Sequence, residues 1–183
     1  MGQSPAQRPS DWVVRFMHLV PAGATVLDLA CGSGRHTALF SDLGYPVTAI
    51  DRDIAKLGDL AHQKGVEALS IDLEAGNGWP FPDRLFGAIV VTNYLHRPLF
   101  ASLVAALAPG GVLIYETFAH GNEQFGKPSN PDFLLKPGEL LDAVAGTLAV
   151  VAYEHGVVHQ PRAAVVQRIC ARKLAEPALL QPH

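Results

Sequence analysis

The chain has few cysteines: Cys31 and Cys170 are the only two among its 183 residues. Two cysteines do not form the disulfide framework of a small secreted protein, so we expect a reducing, cytoplasmic location. No apolar run approaches the ~20 residues that a membrane helix needs, and the first residues lack the apolar core of a signal peptide. The length suits one domain with a full hydrophobic core. These features predict a single domain that does not enter a membrane.

The chain also lacks an excess of positive charge, since its formal net charge at pH 7 is −3. A large nucleic-acid footprint needs clustered lysines and arginines, so this balance argues against nucleic acid as a partner. Four basic residues do gather near the carboxyl terminus, and we interpret them as a solvated edge strand and tail: Arg162, Arg168, Arg172 and Lys173. We find no internal repeat and no linker, and we assign no metal site.

The most informative stretch is residues 26–37, where a short apolar strand runs into Gly32 and Gly34 and then into a helical pattern. Glycine lets the chain turn sharply and lets a ligand approach the backbone. The start of the helix points free N–H groups at that ligand. Asp51 closes a second apolar strand, and a carboxylate at this place reaches two vicinal ribose hydroxyls. The pattern therefore predicts a nucleoside-binding site.

Two departures from the dinucleotide pattern decide which nucleoside fits. A dinucleotide site has a third glycine three residues after the second, and Thr37 takes that place here. Asp28, at the end of the first strand, would repel a pyrophosphate but suits the ammonium of an amino-acid moiety, directly or through water. Together with the glycines and Asp51, Asp28 favours S-adenosylmethionine. That molecule carries an ammonium, a sulfonium, a carboxylate and a ribose but no phosphate.

Four segments, in this order and spacing, resemble the motifs of class I S-adenosylmethionine-dependent methyltransferases. They are residues 26–34, 47–51, 70–73 and 107–113. Between residues 121 and 135 the chain also resembles a segment that follows the fifth strand in bacterial small-molecule methyltransferases of the tellurite-resistance type. The matches cover about residues 24 to 118 and, less specifically, the segment beyond. The resemblance implies a methyltransferase that uses S-adenosylmethionine and releases S-adenosylhomocysteine.

The resemblance implies an α/β, Rossmann-like fold: a seven-stranded, mostly parallel sheet in the order 3-2-1-4-5-7-6 with helices on both faces. The alternation of apolar strands and helical patterns agrees with a parallel sheet. The last two strands are joined by a loop too short for a crossover and predict an antiparallel hairpin. Strands are predicted at 25–30, 47–50, 67–71, 87–92, 112–117, 147–154 and 163–172, and helices at 11–20, 33–43, 54–64, 97–108 and 138–145.

We expect a single methyltransferase domain over residues 1–183. Its predicted parts are an N-terminal helix (1–20), a cofactor-binding core (24–118), a lid-like insertion (119–137), a C-terminal helix and hairpin (138–173) and a tail (174–183). A loop as long as 119–137 in a small domain is usually functional or disordered. Phe125 and Phe133 make us interpret it as a lid over the methyl acceptor.

Ten residues are candidates for binding S-adenosylmethionine. Gly32, Gly34 and Ala30 would line its methionine part, with Asp28 and Asn93 at the amino end. Arg35 is a candidate for the methionine carboxylate, and helix-surface exposure is the alternative. The remaining candidates face the nucleoside: Asp51 for the ribose, Arg52 over the adenine, and Asp72 with the Leu73 N–H for the adenine edge.

Three residues near the ends of strands four and five are candidates for the acceptor side. Tyr94 and His96 follow strand four, and Glu116 ends strand five. His96 is a candidate general base, with a helix-cap histidine as the alternative. Cys31 is interpreted as a small packing residue.

The predicted reaction is an in-line displacement at the sulfonium methyl, with a small molecule as acceptor. Three alternatives stay open: a methyltransferase acting on RNA or protein, a non-catalytic S-adenosylmethionine-binding module, and a nicotinamide-dependent oxidoreductase. A monomer or a homodimer is expected, without a membrane partner.

Overall fold

Runs of branched apolar residues form the centre of the sheet in the computed structural model, which describes residues 8–174. All residues of the first strand are buried, and all but the last of the fourth. A strand covered on both faces requires such a run. The seven strands are β1 (Val26–Leu29), β2 (Val47–Asp51), β3 (Val66–Ser70), β4 (Phe86–Thr92), β5 (Leu107–Phe118), β6 (Ala149–Val158) and β7 (Ala164–Arg172).

The strand order is β3-β2-β1-β4-β5-β7-β6, which confirms the predicted order. The first five strands pair in parallel, and β7 pairs antiparallel with both β5 and β6. The chain leaves β1 toward β2 on one side and reaches β4 on the other, so the order reverses between β1 and β4. Leu29 pairs with Val91 there. Ligands of open α/β sheets bind in the crevice outside the carboxyl ends at such a point.

Helices cover both faces of the sheet, as predicted. They are α1 (Asp11–Phe16), α2 (Arg35–Asp42), α3 (Phe100–Ala105) and α4 (Glu139–Val144). One core cluster joins Trp12 of α1 and Phe40 of α2 to one face. Another joins Leu103 of α3 and Leu140 of α4 to the opposite face. The two clusters hold α1 and α2 on one side of the crevice and α3 and α4 on the other.

Two predicted helices were wrong in type or length. Instead of a helix at 54–64, the chain forms short 3₁₀ turns over Ile54–His62, broken at Gly58, whose φ of 55° and ψ of −132° are not helical. Instead of a helix at 97–108, a 3₁₀ turn over Arg97–Leu99 precedes α3, which ends at Ala105. The helix stops there because Leu107 already pairs with Phe86 of β4.

The sequence interpretation of the C-terminal basic residues was also wrong. β7 lies inside the sheet between β5 and β6, so it is not an edge strand. Arg168 is largely buried, with 22% of its side chain exposed. Arg172 and Lys173 bond to backbone carbonyls at the other end of β7. The four basic residues therefore do not form one patch.

The insertion at 119–137 is ordered around a few anchors. Its elements are two 3₁₀ turns, Asn122–Gln124 and Pro131–Phe133, and Leu134 and Leu135 are buried. Arg97 fixes it by pairing with Glu139 and donating to two carbonyls of the segment. The predicted tail lies, beyond Leu174, outside the described residues. No helix within residues 8–174 is long and apolar enough to cross a membrane.

Candidate active site

Two residues with unusual backbone conformations mark the crevice. Ala30 (φ 54°) and Asn93 (φ 55°) are the only non-glycine residues within 8–174 that have positive φ. They directly follow β1 and β4, the strands between which the order reverses. A strained conformation of this kind costs about 1–3 kcal/mol and persists where the surrounding structure imposes it, often at a binding site. The strain therefore lies at the carboxyl ends that form the crevice.

The glycine turn after β1 has one open and one crowded position. Gly32 has φ 56°, and a Cβ there would meet no atom within 4 Å, so its backbone faces open space. Gly34 has φ 77° and begins α2, and a Cβ there would lie 2.4 Å from a Leu57 methyl and 2.6 Å from one of Leu60. Gly34 thus lets the 3₁₀ segment pack on the turn, while Gly32 leaves a cradle for a ligand.

Asp51 faces this cradle from the end of β2. Its Oδ2 accepts the N–H of Gly32 at 2.9 Å, and its Oδ1 accepts the N–H of Asp53 at 3.0 Å. The carboxylate therefore bridges the glycine turn and the loop after β2. Each carboxylate oxygen has a further lone pair, so Asp51 retains the capacity to accept hydroxyl groups from a ligand in the crevice.

Asp28 has a different environment, because it lies beneath α2 and is only 2% exposed. The Thr37 hydroxyl donates to its Oδ2 at 2.6 Å. Burial raises the pKa of the Asp28 carboxyl to about 6, and hydrogen bonds from Thr37 and the charge of Arg35 oppose that rise. Thr37, the residue in the place of a third glycine, is thus the partner of Asp28. The Asp28 carboxylate is therefore buried, whereas the Asp51 carboxylate faces the crevice.

Arg35 crosses from the first turn of α2 to the end of β4. It donates from Nη2 to Thr92 Oγ1 at 3.2 Å and from Nη1 to the Arg8 carbonyl at 3.4 Å. Asn93 lies next to Thr92, is exposed, and donates its N–H to the Glu116 carbonyl at 2.9 Å. Arg35 and Asn93 therefore meet at the same end of the crevice, away from Asp51.

The three candidates for the adenine lie on the β2 and β3 side. Arg52 and Asp72 are exposed, and Leu73 is half-buried. Asp72 Oδ1 accepts the N–H of Glu74 at 2.9 Å, which fixes the turn after β3. These positions continue the crevice from Asp51 toward the edge of the sheet.

A large cavity of about 750 Å³ opens at the other end of the crevice. Arg35 and Asn93 line it where it meets the crevice, and Glu116 and Phe118 of β5 line its wall. Glu116 Oε1 accepts the Ser10 hydroxyl at 2.7 Å, and its Oε2 pairs with Arg168 at 3.1 Å. Because both oxygens are engaged, Glu116 is an ion-paired wall residue.

The comparisons with known proteins agree with this geometry. Residues 26–111 match the family model described as a methyltransferase domain. The demethylmenaquinone methyltransferase of Renibacterium salmoninarum is 30% identical over 127 residues, which are 66% of this chain and 51% of the relative. The trans-aconitate 2-methyltransferase of Rhizobium meliloti is 36% identical over 117 residues, 58% of this chain and 42% of the relative. The chain spans about half the length of the curated relatives it matches.

Solved structures share the fold. TehB from Haemophilus influenzae superposes with a TM-score of 0.69 at 22% identity, over 89% of this chain and 61% of that chain. The glycopeptide N-methyltransferase MtfA with S-adenosylhomocysteine gives a TM-score of 0.61 at 20% identity, over 89% and 88%. Residues 26–111 therefore match a methyltransferase domain, and the described residues share the fold of solved methyltransferases. The predicted likeness to the tellurite-resistance type is confirmed at the level of the fold by TehB.

The three predicted catalytic residues of the methyltransferase domain do not lie together. Glu116 lines the large cavity, and Tyr94 lines a smaller one of about 240 Å³ beneath Phe133. His96 lines neither cavity, and its carbonyl accepts the N–H of Leu99 at the start of α3. Within residues 8–174 no side chain bonds to the His96 ring, so its role as general base stays a prediction.

Tyr94 is the one of the three that has a buried polar atom without a partner among the described residues. Its hydroxyl is buried without a hydrogen bond among the described residues. Burial raises its pKa, and the carboxylates of Glu74 and Asp72 add to the rise. Tyr115 donates its hydroxyl to the Tyr94 carbonyl at 2.8 Å and so fixes the loop after β4. Tyr94 therefore points toward the adenine side of the crevice as much as toward an acceptor.

Sequence reasoning missed the residues that attach α1 to the site. His36 is buried, and its Nε2 accepts the N–H of Ser10 at 3.0 Å. Burial and the nearby Arg35 lower the pKa of His36 to about 3, so the ring is neutral and accepts this bond. Arg168 lies over the Trp12 ring at 4.8 Å and pairs with both Glu116 and Glu154. No local motif signals these contacts.

The cysteines have no visible chemical role in the methyltransferase domain. Cys31 is buried against Ala49 and Leu57, and burial raises its pKa, so it remains a thiol. Cys170 is buried in β7, and burial raises its pKa to about 12. Within residues 8–174, no group of three or more His, Cys, Asp and Glu residues is arranged to hold a metal.

Proposed function

We propose that the protein transfers a methyl group from S-adenosylmethionine to a small molecule bound in the large cavity. The observation that carries the proposal is the continuity of the two spaces. Arg35 and Asn93 end the glycine crevice, and the same two residues line the 750 Å³ cavity. A cavity of this size is typical of small-molecule sites. Donor and acceptor would therefore meet at the carboxyl end of β4.

The residues of the crevice fit the donor. Gly32 offers backbone with open space before it, and Asp51 retains lone pairs for two ribose hydroxyls. Arg35 supplies a cation for the methionine carboxylate, and Asn93 a polar group for the amino end. The carboxylate of Asp51 beside the glycine turn disfavours a pyrophosphate, which argues against a dinucleotide. Ala30, Gly34, Arg52, Asp72 and Leu73 complete the proposed binding set.

When bound, S-adenosylmethionine supplies a methyl on a sulfonium whose leaving group is neutral. The protein then has to hold the acceptor in line with that methyl and exclude water. Glu116 is paired with Arg168 and accepts from Ser10, so we assign it the orientation of the acceptor and not proton removal. Tyr94 and His96 stay candidates for contact with the acceptor.

The insertion at 119–137 is proposed as the cover of the acceptor side. Phe133 lines the smaller cavity beside Tyr94 and is 50% exposed, and Phe125 is 44% exposed. Exposed aromatic side chains on a segment that Arg97 anchors suit a cover that contacts a bound molecule. A cytoplasmic location and a monomer or homodimer stay predictions.

The curated relatives support a small acceptor, because their names give demethylmenaquinone and trans-aconitate as substrates. A methyltransferase acting on RNA would present a continuous basic surface, whereas this cavity is concave and mixes arginines with Glu116 and Asp11. A non-catalytic binding module is the remaining alternative.

The test uses the full chain with methyl-radiolabelled S-adenosylmethionine against a metabolite extract, total RNA and total protein. We expect label in the low-mass fraction, and about tenfold less of it with Asp51→Ala at a subsaturating concentration of S-adenosylmethionine. Label in RNA or protein would support the macromolecular alternative. Binding of S-adenosylhomocysteine without transfer to any pool would indicate the non-catalytic module.

A further inference from the structure

The charges that line the large cavity are unbalanced. Four arginines face it, Arg8, Arg35, Arg162 and Arg168, against the two carboxylates of Asp11 and Glu116. Resting on the proposed function, we propose that the methyl acceptor is a monocarboxylate with an apolar body, whose carboxylate binds Arg162. Nothing in the comparisons assigns a role to Arg162 or to the cavity.

Arg168 is not available to a ligand anion. Its Nη1 pairs with Glu116, and its Nε and Nη2 both bond to Glu154. Three of its N–H groups are thus taken by two carboxylates, which neutralise it. Arg35 is assigned to the methionine carboxylate in the proposed function. The positive charges left for an acceptor are therefore those of Arg162 and Arg8.

Arg162 lines the cavity and has no carboxylate partner among the described residues, so it is available to bind an anion. It lies in the turn between β6 and β7, is exposed, and makes no ion pair among residues 8–174. One N–H donates to the Lys127 carbonyl at 3.1 Å, and the guanidinium lies 5.4 Å from the centre of the Phe118 ring. These two contacts orient the group while most of its five donors stay unused. A guanidinium binds a carboxylate through two parallel N–H donors.

The floor next to Arg162 is apolar. Phe118 packs with Ala164 and Val166 in one small cluster, and Val158 lies against it. All four side chains line the cavity. A ligand that places a carboxylate on Arg162 would therefore lay its body on hydrocarbon. Burial of that surface would add to its affinity.

The carboxylates of the cavity select against a more highly charged ligand. Glu116 and Asp11 line the same space as Arg162. A phosphate carries close to two negative charges at neutral pH and would meet them with repulsion that two arginines offset less well. A monocarboxylate needs one arginine, and the remaining lone pairs of the ion-paired Glu116 can accept a polar group of the acceptor. The charged residues that line the cavity therefore favour a monocarboxylate over a phosphate or a nucleic acid.

The experiment measures binding to the full chain saturated with S-adenosylhomocysteine, so that the acceptor side alone is open. The probes are aromatic and branched aliphatic monocarboxylates, each paired with its primary amide, titrated by calorimetry. We expect at least one carboxylate to bind, with its amide weaker by about tenfold or more, because a charge-assisted bidentate contact is lost. Arg162→Gln should abolish that preference. Lys64→Gln, which removes an exposed charge before the amino end of β3, should keep it.

The outcomes separate this inference from the proposed function. If S-adenosylhomocysteine binds but no carboxylate does, or if amides bind equally well, the inference is wrong and the donor site stands. A preference that survives Arg162→Gln also overturns it. If S-adenosylhomocysteine itself does not bind, the proposed function fails first. Because Arg162 is exposed, its loss should leave the melting temperature unchanged, which the same samples verify.

Discussion

The two halves of the crevice are assembled over very different distances along the chain. In the cofactor half, Asp51 accepts from Gly32, 19 residues away, and Thr37 donates to Asp28, nine residues away. In the acceptor half, Ser10 reaches Glu116 across 106 residues, and Arg168 reaches it across 52. The cofactor half is thus a local motif, while the acceptor half forms only when α1, β5 and β7 pack together.

This difference has a consequence for what each half can tolerate. A local motif with backbone partners is nearly complete once β1, α2 and β2 are formed. The acceptor half depends on ion pairs between elements that meet only in the finished fold. Changes to the crevice-facing residues of the cofactor half should therefore alter the affinity for S-adenosylhomocysteine, and changes to its buried Asp28 should alter stability. Changes in the acceptor half should alter stability with little effect on that affinity.

The largest expected effect belongs to Asp28. Its folded pKa of about 6 lies above its ordinary value of 3.8, so the folded state binds a proton more readily than the unfolded chain. Asp28 therefore lowers stability progressively as pH rises from about 4 to above 6. Relative to Asp28→Asn, the wild type should lose about 3 kcal/mol of unfolding free energy over that range, measured by urea unfolding at each pH.

Asp42→Asn is the matched control, because Asp42 is exposed at the end of α2. Its stability should run parallel to that of the wild type. Parallel curves for wild type and Asp28→Asn would show that Asp28 does not titrate as a buried group.

The next effect belongs to the acceptor half. Arg168→Met leaves Glu116, whose side chain is 14% exposed, without its counter-charge. We expect a loss of about 2 kcal/mol in unfolding free energy, below the cost of a fully buried pair because Arg168 itself is 22% exposed. Urea unfolding at pH 7 measures it. Adding Glu116→Gln should restore most of the loss.

Arg15→Met provides the comparison, since Arg15 pairs with Glu154 at the surface, with 49% of its side chain exposed. An exposed pair contributes about 1 kcal/mol or less. Equal losses for the Arg168 and Arg15 variants would contradict the buried role of the Arg168 pair. A large drop in S-adenosylhomocysteine affinity with Arg168→Met would show that the acceptor half also contributes to cofactor binding.

Asp51→Ala tests the cofactor half directly. The substitution should weaken the binding of S-adenosylhomocysteine by about tenfold or more, ~1.4 kcal/mol, because both ribose contacts and the bond to Gly32 are lost. Calorimetry measures the affinity. Asp53→Ala is the control, since Asp53 pairs only with Lys56 at the surface. Similar affinities of the two variants for S-adenosylhomocysteine would show that Asp51 does not bind the ribose.

The smallest expected effect is that of Ser10→Ala. Ser10 caps α1 by accepting the Trp12 N–H and donates to Glu116. Loss of a cap costs about 1 kcal/mol, and thermal unfolding should detect it. Ser41→Ala, on the outer part of α2, should leave stability near the wild-type value. S-adenosylhomocysteine affinity should stay unchanged in both, and a loss confined to Ser10→Ala would link α1 to the donor.

The sequence predicted the cofactor half better than the acceptor half. The apolar strands and the glycine turn were predictable because buried apolar runs and a short motif are local signals, whereas the strand order came from the resemblance to class I methyltransferases. The 3₁₀ segment at Ile54–His62 was not, because helical spacing continues through Gly58 while the chain kinks there. The difference in exposure between buried Asp28 and half-buried Asp51 was also hidden, since it depends on how the chain packs around Asp28, where Thr37 is its hydrogen-bond partner.

The acceptor side was the least predictable. Glu116 was predicted as an acceptor-side residue without any partner, and its partners Ser10 and Arg168 lie far from it along the chain. Arg168 belongs to a strand that is interior only because β6 adds outside it. Such long-range pairings leave no pattern in a single sequence, so residue types suggested the right region without the right contacts.

The central claim is that the crevice beside β1 and β2 binds a sulfonium nucleoside by its amine and its sugar. Calorimetric titration of the full chain with S-adenosylhomocysteine and, in parallel, with NAD⁺ tests it most directly. We expect one-site binding of S-adenosylhomocysteine in the micromolar range and no measurable binding of NAD⁺. Absence of S-adenosylhomocysteine binding, or tighter binding of NAD⁺, would contradict it.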